Sequence, residues 1–194
     1  MIARLIFLTA LMLAAPASAE IVSVYTDFDA ESGCATYAAA EEGDGDWADL
    51  ACAGYRGYPV LLFYGDAREI AFYGFPPEGE RPGIVGFSPF NSAGPKIEWR
   101  VAREAGIETP FAAIHHWFVA DGAEGAPDIE ILIVSKVAQV DDRQGCIVGY
   151  VMGTGNTRAN AEARAIADES ARDFDCAADK PVFGDPAIRN LVSS

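Results

Sequence analysis

The stretch CIVGYVMGTGNTRANAEARAIADESARDFDC, residues 146–176, decides the fold because it sets a strand and a helix between two cysteines. Its first part, residues 146–152, is a run of branched and aromatic side chains that is typical of a strand. The Gly-Thr-Gly link that follows predicts a chain reversal. Small and apolar side chains then recur every three or four positions over residues 157–174, which predicts an amphipathic helix that Asn156 or Thr157 caps.

The dimensions of this strand and helix predict how the four cysteines pair. The strand would rise about 20 Å and the helix would return about 24 Å, so Cys176 comes back beside Cys146. Disulfide-bonded Cα atoms lie about 5.5 Å apart, which this layout supplies. Of the three possible connectivities, we therefore expect Cys146–Cys176 and, by elimination, Cys34–Cys52. The absence of a Cys-x-x-Cys pair from the sequence favours structural disulfides over zinc binding or thiol exchange.

Upstream of this unit, the sequence predicts an antiparallel sheet. In residues 96–101 apolar side chains alternate with charged ones, which predicts a strand with one buried face. Residues 58–64 and 68–73 flank Gly65-Asp66 and predict a hairpin. Other strands are expected over residues 21–25, 111–119 and 129–137, and a loop rich in proline and glycine over residues 75–95. The expected fold class is α+β, an antiparallel β-sheet meander with one long C-terminal helix packed on it, held by disulfides.

The chain divides into a leader and one domain. Residues 1–19 are predicted to be a signal peptide that is cleaved, and residues 20–194 to form a single α+β domain of ordinary size. Within it, residues 26–57 are acidic and expected to be rich in loops, as an irregular region or one of short strands. Residues 96–176 hold the meander and the helix, and residues 177–194 form a short C-terminal tail.

The leader has the three parts of a secretory signal peptide. Arg4 provides the positive n-region, and residues 5–15 form an apolar stretch that is shorter than the roughly 20 residues a membrane span needs. Ala17-Ser18-Ala19 fits the small-x-small pattern of signal peptidase. We therefore predict cleavage between Ala19 and Glu20, a location in the periplasm or outside the cell, and no membrane association after cleavage.

The charge of the chain limits the classes of partner that it can bind. The sequence has 14 basic and 29 acidic residues, a net charge of −15. Loss of Arg4 with the leader lowers this by one, to −16. Nucleic acids and anionic membrane surfaces would be repelled, because binding to them depends on neutralising phosphates. A strongly acidic chain instead attracts a basic protein partner. The oligomeric state does not follow from the sequence.

No motif in the chain predicts a catalytic, cofactor-binding or metal site. The residues Gly153-Thr154-Gly155 lack the third glycine of a dinucleotide fingerprint. His115 and His116 are neighbours on a predicted strand and point to opposite faces, so they cannot readily share a metal. The one on the wetter face is the candidate for a lone acid or base. The aspartates of residues 44–49 do not match the spacing of a calcium loop.

Several short motifs resemble a group of exported proteins of Gram-negative bacteria for which no activity is established. The resemblance covers roughly residues 88–176 and implies only a periplasmic location. The motifs are Ser88-Pro-Phe-Asn91 followed by Ile97-Glu-Trp-Arg100, Gly145-Cys146 before Tyr150-Val151, and the alanine-rich helix that ends in Phe174-Asp-Cys176.

Three classes of function remain open on the sequence. A periplasmic binding or interaction module for a basic protein is favoured by the net charge. A periplasmic hydrolase of unfamiliar type is the second class, since catalytic groups assemble in space and leave no required spacing. The third is a structural or stress-related envelope protein without a discrete ligand.

Overall fold

The computed structural model describes residues 19–79 and 82–193. The predicted signal peptide, residues 1–19, lies outside the described residues apart from Ala19. Short 3₁₀ helices cover Tyr55–Gly57 and Pro186–Asn190. The longer elements are, in chain order, β1 (Glu20–Asp27), β2 (Cys34–Ala39), β3 (Trp47–Cys52), β4 (Val60–Gly65), β5 (Arg68–Tyr73), β6 (Asn91–Glu104), β7 (Ile107–Val119), β8 (Ile129–Lys136), β9 (Ile147–Met152), α1 (Ala159–Ser170) and β10 (Val182–Phe183).

The strands form two sheets that share one core. The described residues place six strands in the larger sheet, in the order β1-β6-β7-β8-β9-β10, and four in the smaller sheet, in the order β2-β3-β4-β5. Neighbouring strands are antiparallel except β10, which runs parallel to β9. Side chains of both sheets meet in the core, including Leu62 and Tyr73 from one sheet and Trp99 and Trp117 from the other.

The helix α1 covers the opposite face of the larger sheet. Ala159, Ala163, Ala167 and Ala171 are buried there against strands β6 to β9. Their spacing of four residues places them on one stripe of the helix. The molecule therefore has three layers, helix, larger sheet and smaller sheet, and the α+β class with antiparallel sheets and one helix in the described residues is confirmed.

The helix is shorter than the sequence predicts, so the description of a long helix is wrong. It begins at Ala159 because Asn156 Oδ1 accepts the backbone N–H of Arg158 at 2.9 Å, and this local turn occupies the expected first helical positions. It ends at Ser170. The following residues turn, which brings Cys176 back to the larger sheet.

The meander accounts for only part of the sheet structure. Strands β6 to β9 follow one another as expected, but β1 and β10 extend the larger sheet at its two edges. Residues 26–57, expected to be an irregular loop or short strands, supply β2 and β3 of a second sheet. Residues 177–194 are also more than a tail, because β10 pairs with β9 and Ile188 is fully buried in the core.

The charged face of β6 is buried, which corrects the expectation of one buried side for residues 96–101. Ile97, Trp99 and Val101 are fully buried between the sheets, as the alternation predicts. On the other face, however, Glu98 and Arg100 are only 5% and 8% exposed, because α1 lies over them.

Two disulfides hold the layers. Cys146, just before β9, is bonded to Cys176, beyond α1, with Cα atoms 5.7 Å apart, so this bridge ties the helical segment to the larger sheet. Cys34 and Cys52 face each other across β2 and β3 and are also bonded. Disulfides of this kind are typical of proteins in an oxidising compartment outside the cytosol. Within residues 19–79 and 82–193, no helix has the length and apolar character needed to cross a membrane.

Candidate interaction surface

Four chain connections meet at one end of the molecule. They are the β2–β3 turn, the β4–β5 turn, the segment before β6 and the β7–β8 connection. The β4–β5 turn is formed by Asp66 and Ala67, one residue later than predicted, and both have positive φ, as two-residue hairpin turns require. Backbone hydrogen bonds join the four connections: Asp66 N to Asp46 O at 3.0 Å, Asn91 N to Ala67 O at 3.1 Å, and Ala120 N to Phe90 O at 2.8 Å.

This end is strongly acidic, and we call its carboxylates the acidic end. Arg68 is the one basic side chain among the described residues of these four connections and of the strand ends next to them. It pairs with Asp66. These carboxylates give the four connections a negative potential, and the link after β9, at the same end, adds Arg158, which pairs with Glu162. The exposed carboxylates of the acidic end are Glu41, Glu42, Asp44, Asp46, Asp66, Asp121, Glu124 and Asp128.

Two aromatic side chains stand beside the acidic end. Trp47, at the start of β3, is 39% exposed, and Phe90, just before β6, is 55% exposed. The guanidinium of Arg68 lies 5.0 Å from the centre of the Phe90 ring, so the one cation of this region is already engaged. Exposed aromatic rings beside charged groups are common at protein interfaces.

His115 is an internal residue. It is fully buried among aromatic rings, and its Nδ1 lies 2.7 Å from the Tyr73 hydroxyl. Its Nε2 lies 2.6 Å from Gly94 O, a carbonyl that can only accept, so Nε2 carries the proton and Nδ1 accepts from Tyr73. Burial lowers the pKa of His115 to about 4. The ring is therefore held neutral, in a structural role.

His116 points the other way, as adjacent strand residues must. It is the wetter histidine, and its Nδ1 lies 2.6 Å from Glu130 Oε1 while Nε2 lies 3.2 Å from Asn160 Oδ1. A carboxylate that orients an imidazole is one part of many acid–base sites. In the described part of the chain, no serine, threonine or cysteine side chain is hydrogen-bonded to this histidine, so the pair alone assigns no reaction.

A charged network lies between β6 and α1. Arg164 donates to Glu98 through Nε (2.6 Å) and Nη2 (3.1 Å), and Arg100 donates to Asp168 through Nε (2.8 Å) and Nη2 (2.6 Å). The Ser23 hydroxyl bridges Glu98 and Arg100. Burial raises the pKa of Glu98, but hydrogen bonds from Arg164 and Ser23 outweigh burial and leave that pKa below its ordinary value. Each buried charge is thus paired, and the network fastens the helix to the sheet.

The structure separates the residues that the sequence singled out. Asp44 and Asp46 belong to the acidic end, whereas Asp49 lies within β3. The four cysteines form the disulfides, and Glu20 is the first residue of β1. Across the described ranges, no three metal-binding side chains are grouped closely enough to hold an ion. The acidic residues of the β7–β8 connection and the exposed Trp47 and Phe90 were not foreseen, although a turn with three carboxylates is visible in the sequence.

Comparison of the chain with protein-family models, curated proteins and solved structures gives no match.

Proposed function

We propose that this chain is an exported, periplasmic binding module whose acidic end binds a basic protein. The observation that carries the proposal is the concentration of exposed carboxylates at one end, with a single engaged cation among them. Lysine and arginine side chains of a partner would lower the repulsion between these carboxylates. Trp47 and Phe90 would add apolar contact area at the same place.

The periplasmic location rests on two features that agree. The first 19 residues carry the pattern of a cleavable signal peptide. The cysteines are bonded in pairs, with no free cysteine in the described residues, and such pairs persist in oxidising compartments.

A pair of charge-matched variants tests the proposal. E41Q/E42Q/D44N removes three carboxylates of the acidic end, and D141N/E169Q/D173N removes three exposed carboxylates near the opposite end. The side chains of all six have no hydrogen bond or ion pair in the described structure. Binding of an oligolysine peptide is measured by titration at about 0.1 M salt, where the Debye length is about 10 Å, and at about 1 M, where it is about 3 Å.

We expect the first variant to bind oligolysine roughly tenfold more weakly than the parent and the second to change affinity by less than about twofold, because surface ion pairs contribute roughly 0.2–1 kcal/mol each. Binding should be lost at the higher salt concentration. Equal weakening in both variants would show that net charge alone attracts the peptide and would overturn the assignment to the acidic end. A periplasmic pull-down with both variants then identifies the partner as the protein that the first variant alone fails to retain.

A further inference from the structure

A groove opens at the end of the larger sheet farthest from the acidic end. Strands β6 and β7 run from Asn91 and Val119 at the acidic end to the turn between Glu104 and Ile107, and the groove lies beside this turn. Its volume is about 560 Å³, within the range of roughly 300–1,000 Å³ that small-molecule sites occupy. Arg172, two residues after the end of α1, also lines it.

The wall of the groove is largely apolar. Phe111 and Val137 are buried at its base, and Ala102 continues that surface. Ile107 lies at the turn and is 68% exposed, the most exposed large apolar side chain in the described residues. An apolar molecule in the groove would cover Ile107, which is otherwise left in water.

Two basic side chains, Lys136 and Arg172, line the same groove. Lys136 Nζ donates to the carbonyl of Phe174 at 2.9 Å, and the Arg172 guanidinium lies 4.3 Å from the centre of the Phe111 ring. Neither has a carboxylate within 4.0 Å in the described structure, whereas most other described cations do. In a chain with 29 acidic residues, two unpaired cations in one groove favour an anionic ligand.

Two acidic residues, Glu104 and Asp142, also line the groove and offset the two cations in overall charge, although neither lies within 4.0 Å of them. Asp142 Oδ1 accepts the backbone N–H groups of Gln139 at 3.3 Å and Gln144 at 3.1 Å, so it is engaged in its own turn. Glu104 is exposed at the strand end, where water screens its charge. A ligand with one negative charge fits this balance better than one with several.

We propose that the groove binds a small amphipathic monoanion, a carboxylate with an apolar chain. The carboxylate would lie between Lys136 and Arg172, and the chain would lie on Ile107, Phe111 and Val137. A single molecule fits the groove, whereas an anionic bilayer surface would be repelled by the net charge of the chain.

Cleavage of the signal peptide would add a positive charge to the groove. Ala19, the residue before the predicted cleavage, lines it. Cleavage between Ala19 and Glu20 would remove this residue and leave the α-ammonium group of Glu20 beside the groove as a third cation. The processed protein should therefore bind the carboxylate more tightly than a form that retains its leader.

Titration with decanoate tests the proposal on protein purified from the periplasm, with its N-terminus determined. Affinity is measured by calorimetry, and the site is mapped by amide chemical shifts. R172Q removes one proposed contact. R189Q is the matched control, because Arg189 is also exposed and lies 4.1 Å from the centre of an aromatic ring, Phe183, away from the groove.

We expect decanoate to bind, with shifts centred on Ile107, Phe111 and Val137. R172Q should weaken binding about tenfold, as loss of a charge-assisted contact predicts, while R189Q should leave it unchanged. The uncharged analogue decanol should bind more weakly than decanoate, and vesicles of anionic phospholipid should not bind. The proposal is overturned if decanoate produces no shifts at millimolar concentration, if R172Q and R189Q behave alike, if decanol binds equally well, or if the vesicles bind instead.

Discussion

The two faces of the larger sheet are covered by different layers and differ in the side chains they carry. The face toward the smaller sheet is aromatic, with Trp99 and Trp117 almost fully buried. The face toward α1 is mainly aliphatic, with Ile114, Leu132 and Val148 buried there, but on β6 it is charged, where Glu98 holds Arg164 and Arg100 holds Asp168. The comparison teaches that alternation along a strand reports the polarity of each face and not whether water reaches it.

The two layers that cover the larger sheet explain why its faces differ. The smaller sheet covers a broad area and leaves Ile97, Trp99 and Val101 fully buried. A helix of 12 residues covers only a strip, so Arg164 and Asp168 remain 38% and 29% exposed while their partners are buried. A charge that keeps part of its hydration costs less to bring to an interface. The helix face can therefore hold ion pairs that the face between the sheets could not.

Truncation of a core aromatic should give the largest effect. Trp99→Ala should lower the free energy of unfolding by about 4 kcal/mol, because a large side chain leaves a cavity between rigid sheets. The matched change on the other face, Ala163→Gly, should cost about 1 kcal/mol, the usual penalty for glycine within a helix. Urea unfolding measures both. A loss well above about 1 kcal/mol for Ala163→Gly would mean that close packing of α1 on the sheet adds to the glycine penalty.

The face between the sheets should also respond to acid through His115. Its pKa is lowered by burial to about 4, against about 6.5 in the unfolded chain. Protons therefore bind the unfolded state first. The contribution of the neutral ring is fully present above about pH 6.5 and is lost as pH falls to about 4, a total of about 3 kcal/mol.

The variant His115→Gln isolates this effect, since glutamine keeps polar atoms near Tyr73 and Gly94 but does not titrate. Between about pH 6.5 and 4, the unfolding free energy of the variant should fall by about 3 kcal/mol less than that of the parent. Glu98, whose pKa is also lowered, loses its contribution only as pH falls below the unfolded value of about 4.3, and it does so in both proteins. Parallel pH profiles would contradict a neutral, buried His115.

Local sequence patterns predicted most of the strands. Which sheet faces are covered, and how the two sheets assemble, depends on residues that are distant in the sequence. The alternation in β6 and the apolar runs of β7 to β9 are local, so they could be recognised in sequence. The hairpin of β4 and β5 was predicted, but β2 and β3 could not be located because aspartate, glutamate and glycine interrupt the pattern of residues 26–57. Ile188, Leu191 and Val192 are apolar residues in a short segment after the helix, too short for its spacing to predict that Ile188 is buried in the core.

The candidate surface was predictable only in kind. The net charge indicates a basic partner, and it can be counted from the sequence without a structure. Its location does not follow from the sequence, because hydrogen bonds between Asp46 and Asp66 and between Phe90 and Ala120 join turns that lie far apart in the chain. The location of the groove does not follow from the sequence either, because it forms where the segment after α1 comes back to the end of β8.

Smaller effects should distinguish the buried ion pair from an exposed one on the same helix. Glu98→Gln leaves Arg164 without its charged partner and should cost about 2 kcal/mol, less than for a fully buried pair because Arg164 reaches solvent. The control is Glu162→Gln, whose partner Arg158 is 80% exposed, and it should cost below about 0.5 kcal/mol. Double-mutant cycles with Arg164→Gln and Arg158→Gln measure each coupling directly. Both arginines lie on or beside α1. A coupling in the first cycle no larger than in the second would therefore mean that burial under the helix adds nothing to the pair, and that apolar packing alone holds α1 on the sheet.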